Sequence, residues 1–145
     1  MIPMFRSIPR LLLMLPLALT AIGCGDETTS ENPAAPTAPT PITEAPLSGT
    51  LSRNGAATYP FVANTGTITA ALTALTPDTA IVGFALGEWN ATTNSCQLRI
   101  TSEDATKGKV LLGSAQLSQN YCVRIADSTG QLTGPVAYEI TIQHF

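Results

Sequence analysis

Gly66-Thr67-Ile68-Thr69-Ala70-Ala71-Leu72-Thr73 is the stretch on which the fold turns. Ile68, Ala70 and Leu72 recur at every second position, with Thr67, Thr69 and Thr73 between or beside them. That is the two-residue period of a strand with one face on a core and the other toward water. Upstream, Leu47-Ser48-Gly49-Thr50-Leu51 alternates in the same way, and Arg53-Asn54-Gly55 marks a turn. Ala57, Tyr59 and Phe61 share a face of the next strand, where Pro60 predicts an edge position because it cannot donate to a ladder. Downstream, Thr76-Pro77-Asp78 breaks the pattern, and Ala80–Leu86 is apolar almost throughout, as expected of a strand covered on both faces.

The same grammar fills the second half. Cys96, Leu98 and Ile100 alternate with Gln97, Arg99 and Thr101, and Ser102–Gly108 reads as a polar loop. Lys109–Leu117 holds a short strand or two around Gly113. Tyr121, Val123 and Ile125 share one face, Asp127-Ser128-Thr129-Gly130 turns, and Val136, Tyr138, Ile140 and Ile142 share another. No window carries a helical period. Residues 47–145 are therefore expected to form one all-β domain, an antiparallel β-sandwich of seven or eight strands, jelly-roll-like in arrangement.

The residues before it divide in two. Arg6 and Arg10 precede Leu11–Ile22 (LLLMLPLALTAI), and small residues follow at Gly23 and Gly25, the pattern of an export signal over 1–23. Such a run spans roughly 18 Å, short of a hydrocarbon core of about 30 Å. Residues 24–46 hold Asp26, Glu27, Glu31 and Glu44, no base, repeated Pro and Thr, and one large aliphatic, Ile42. That composition predicts a disordered or polyproline-like tether.

Ala21-Ile22-Gly23-Cys24 resembles the bacterial lipobox. The resemblance implies a diacylglyceryl thioether on Cys24, cleavage before it, and attachment to the outer membrane or cell surface through acyl chains such as palmitate. Three cysteines in an exported chain leave one unpaired, and committing Cys24 to lipid leaves Cys96 and Cys122 for a disulfide. Two buried free thiols are the alternative.

Leu47-Ser-Gly-Thr-Leu51, Tyr59-Pro-Phe61, Gly66–Leu72, Tyr121-Cys-Val-Arg-Ile-Ala-Asp127 and Tyr138-Glu-Ile-Thr-Ile142 together resemble the bacterial pre-peptidase C-terminal domain. The resemblance implies a β-sandwich appended to exported proteins, or standing alone on a lipoprotein, with no catalytic residues of its own. Relatives that bind calcium and collagen carry aspartates along the strand equivalent to Ala80–Leu86, which here has no acids. That argues against both ligands.

Function is less legible than fold. Charged residues are 12% of the 145, with 7 bases against 10 acids, which argues against nucleic acid. The single histidine, His144, lies at the end of the last strand and is expected to point outward, so no His-based nucleophile or metal site is expected. Asp78, Glu103 and Asp104 read as solvated turn residues. No catalytic residue, cofactor or metal is assigned. Trp89 and Asn90 open the polar stretch Gly87–Ser95 and are the candidate ligand-binding residues, the indole either stacking on a sugar or partner or capping one end of the sandwich. The expected function is a non-catalytic envelope lipoprotein that binds protein or polysaccharide. A structural spacer in an envelope assembly is the second reading, and an enzyme with an unrecognised site the third.

Overall fold

The computed structural model describes residues 37–145; the expected signal, Cys24 and most of the expected tether lie outside them. The described residues form nine strands and no helix: β1 (Ile42–Thr43), β2 (Leu47–Leu51), β3 (Ala56–Ala63), β4 (Gly66–Thr76), β5 (Val82–Asn90), β6 (Ser95–Ala105), β7 (Val110–Ala115), β8 (Gln119–Ala126) and β9 (Val136–His144). One sheet runs β1-β9-β4-β7, with β2 following β1 along the same side of β9; the other runs β3-β8-β5-β6, and every pairing is antiparallel. Apart from the β5–β6 hairpin, each successive strand from β2 onward lies in the opposite sheet. That is the jelly-roll order.

The threonine-punctuated strand behaves as its period predicts. Ile68, Ala70 and Leu72 of β4 are buried, and a bulge between Leu72 and Ala74 then advances the inward face to Leu75. Val136, Tyr138, Ile140 and Ile142 of β9 meet them from the same sheet, and Val82, Phe84, Leu86, Val123 and Ile125 face them from the other. Pro60 lies on β3, which is an edge strand. Tyr59 and Tyr138 bridge the sheets through their hydroxyls at 2.6 Å, and burial with this hydrogen bond pushes the Tyr138 phenol well above its ordinary range.

Four expectations need correction. The strand expected over Ala80–Leu86 starts at Val82 and continues to Asn90, so Trp89 and Asn90 belong to β5 rather than a loop. The polar loop expected from Ser102 begins only after Ala105, because β6 stays paired to β5 that far. Residues 47–145 hold eight strands, as expected, but Ile42 and Thr43, read as tether, add a ninth by pairing with His144 and Gln143. His144 does not point outward: it is buried, with Nε2 2.9 Å from Glu44 Oε1.

Candidate functional site

The β5–β6 hairpin carries the site. Asn90 pairs with Ser95, and Asn90 Oδ1 accepts hydrogen bonds from the main-chain N–H groups of Thr92 and Thr93 at 3.0 and 3.1 Å, closing the turn. Asn94 adopts a left-handed φ of 49°, which asparagine tolerates. Asn90 therefore spends its carbonyl on the turn, leaving its NH₂ directed away from it.

Cys96 and Cys122 are joined by a disulfide that does not link neighbouring strands: β5 lies between β6 and β8. In a flat sheet the two flanking strands would stand about 9.5 Å apart. Their Cα atoms here are 5.9 Å apart, so β6 folds over β5 at the bulge between Leu86 and Gly87. Gly87 permits this. A Cβ on it would lie 2.2 Å from the main-chain oxygen of Gln97.

Register then places Trp89 on the outer face. Val123 and Ile125 of β8 point into the core, and Cys122 and Arg124 point away from it. Gly87 pairs with Cys122 and Glu88 with Tyr121, so Trp89 continues the row of Gly87 on the outer face and stands beside Asn120. Trp89 is half-buried, while Gln97 and Asn120 are exposed. Together with Glu88, Asn90 and Gln119 they line an open concavity of about 350 Å³, small for a ligand site but within the usual range of about 300–1,000 Å³. Glu88, its one charged group, has its Oε2 3.2 Å from Arg99 Nη2. The amides of Gln97, Gln119 and Asn120 come from β6 and β8, strands whose side chains the sequence alone does not assign to Trp89. By the cross-strand register Asn120 shares the face of Trp89, whereas Gln97, paired with Glu88, and Gln119, in the row of Tyr121, lie on the other face.

The other end of the sandwich has two further concavities. Pro77, Ile81, Leu132 and Pro135 border a cleft of about 300 Å³ between the β4–β5 and β8–β9 connections. Glu103, Asp104 and Asp127 border another of about 250 Å³. Asp127 is not available as a ligand: burial pushes its carboxyl up, but hydrogen bonds from the main-chain amides of Asn54, Leu132, Gln131 and Gly130 outweigh this and hold it below its ordinary value. Asp78 stands apart, 3.0 Å from Lys107 Nζ and exposed. Among the described residues no group of three or more His, Cys, Asp or Glu side chains is arranged to hold a metal ion.

No protein-family model and no curated protein matches the chain. Among solved structures it is similar to PliG of Aeromonas hydrophila, a periplasmic inhibitor of g-type lysozyme, with a TM-score of 0.51 and 15% identity over 69% of this chain and 83% of that one. At that identity the likeness is one of fold.

Proposed function

We propose that this chain is an exported lipoprotein, anchored through Cys24, whose jelly-roll domain is a non-catalytic binding module of the cell envelope. The observation that carries the reading is the Trp89 concavity. Trp89 is carried on a strand tied by a disulfide, and the residues bordering the concavity include amides rather than a nucleophile and its base. The Cys96–Cys122 bond supports an oxidising compartment, and the Ala21-Ile22-Gly23-Cys24 sequence supports the anchor. The resemblance of 47–145 to the pre-peptidase C-terminal domain points the same way. So does the likeness in fold to a periplasmic protein that binds another protein.

Two measurements test it. Replacing Cys24 by Ser should move the protein from the membrane fraction to the soluble exported fraction, and retention in the membrane would overturn the anchor. The Cys24→Ser chain should bind purified envelope saturably in a sedimentation assay. A folded chain that does not bind would favour the spacer reading instead.

A further inference from the structure

We infer that β7 is a pairing edge for a second copy of this chain, so that two sandwiches join antiparallel, β7 to β7, through one continuous sheet. The edge belongs to the other sheet from Trp89, and the inference does not depend on the binding-module reading.

Hydrogen-bond parity sets what the edge offers. Leu72 N donates to Lys109 O and Gly108 N donates to Leu72 O, so Leu72 turns both its main-chain groups toward β7. Bonded and non-bonded pairs alternate along an antiparallel ladder, so Ala70–Leu111 and Ile68–Gly113 are bonded pairs too. The same alternation sends Ile142 O to the far side of β9, where Glu44 N meets it. Val110, Leu112 and Ser114 therefore direct their N–H and C=O groups away from β4. β7 is the last strand of its sheet, so these groups face the open side.

The remaining edges are guarded in ways that discourage strand addition. β1 is two residues long, β3 carries Pro60, and β6 carries Arg99, Glu103 and Asp104. On β2 the Ser48 carbonyl lies 3.4 Å from the Tyr59 hydroxyl, which donates to it. β7 has neither charge nor proline. Its outer face exposes Val110 and Leu112, and Leu112 and Leu117 are the most exposed large apolar side chains among the described residues.

Self-pairing suits this edge. About a two-fold axis through Leu112, normal to the sheet, Leu112 meets Leu112 of the second copy and Val110 meets Ser114. Each pair exchanges two main-chain hydrogen bonds, about six in all. Outward residues then meet outward residues: the two Leu112 side chains cover each other, while Leu111 stays on the core side. Lys109, the cation next to the strand, falls opposite Ala115 of the second copy. The two lysines are thus about 20 Å apart, twice a Debye length of about 10 Å. A single strand pair is a small interface, so the dimer should be weak, with a Kd of about 10–100 µM.

The full-length Cys24→Ser protein would be followed by sedimentation velocity from about 1 to about 300 µM. The expected result is a monomer–dimer equilibrium that Leu112→Lys abolishes, because two like charges then meet on the axis. Leu112 is exposed, so this variant should keep the parent's melting temperature. Amide exchange reads the edge directly. Leu111 and Gly113 should be protected at every concentration, but Val110, Leu112 and Ser114 only as the dimer forms. Cysteine substitution reads the register, since bonded residues directly opposite have Cα atoms about 5.5 Å apart, within disulfide reach. Leu112→Cys should oxidise to a covalent dimer, and Val110→Cys, whose two copies lie about 14 Å apart, should not. Three results would each overturn the inference: a monomer at the highest concentration with those amides unprotected, a dimer that survives Leu112→Lys, or cross-linking through Val110→Cys rather than Leu112→Cys.

Discussion

His144 Nε2 and Glu44 Oε1 lie 2.9 Å apart, joining residues 100 positions distant in the chain. The imidazole is buried against Phe61, with ring centroids 5.6 Å apart, and its Nδ1 is 3.1 Å from the main-chain oxygen of Phe145. Together with the hydrogen bond from Glu44 N to Ile142 O at 2.9 Å, this contact fastens β1 to the end of β9. His144→Ala removes a packed ring and a hydrogen bond and is expected to cost roughly 2–3 kcal/mol in chemical denaturation. Glu44→Gln, at a side chain 40% exposed, is expected to cost at most about 1 kcal/mol. It should nevertheless speed amide exchange at Thr43 and Glu44 selectively. Unchanged exchange there would mean that the backbone pairing holds β1 unaided.

Asp127 gives the domain an acid-sensitive brace. Its folded-state value is lowered, so its contribution is complete above the ordinary carboxylate range and is lost as pH falls through the lowered value. Asp127→Asn should therefore have a lower urea midpoint than the parent at neutral pH, and the gap should narrow below about pH 4. A gap that stays constant with pH would show that the amides do not favour the carboxylate.

The disulfide should dominate the stability of the β6 edge. Mass spectrometry without reductant should recover Cys96 linked to Cys122, and two alkylatable thiols in the folded protein would contradict it. Closing a loop with a sequence separation of 26 is expected to contribute around 3 kcal/mol. The Cys96→Ala/Cys122→Ala double variant should lose about that much, with amide exchange rising along β6 before β3.

Gly87 and Gly134 should respond oppositely to the same substitution. Gly87→Ala drives a Cβ to 2.2 Å from main-chain oxygen, so β6 must shift, at an expected cost of 1–3 kcal/mol or more, about that of overpacking. A Cβ at Gly134 meets nothing within 4 Å, and Gly134→Ala should be neutral or slightly stabilising. Equal melting temperatures for the two variants would refute the fold-over of β6.

The sequence is most informative where one face of a strand is dry and the other wet. β4 and β9 are legible because Thr67, Thr69, Gln143 and Ala137 alternate with residues that bury. The end of β5 is not, because beyond the bulge at Gly87 its side chains face an open concavity, and polar residues there read as a turn. His144 and Ile42 are misread for a related reason: a polar ring buries when a carboxylate distant in sequence arrives to meet it. Of the site, Trp89 and Asn90 stand out by composition. Gln97, Gln119 and Asn120 border the same concavity from strands distant in sequence, which no local window contains.

The placement of β9 has a bearing on export. It is the last strand of the sandwich, yet it lies inside its sheet, touching β1, β2 and β4. Until it arrives, those three strands have no common partner, and Leu72, Leu75 and Leu51 lack the neighbours in their own sheet that complete their cover. A chain threading out amino-terminus first would stay unlocked along most of its length until its final strand emerged. Non-local pairing of this kind also makes for slow closure. If the chain crosses a membrane as proposed, it would remain threadable during passage and set only on the far side.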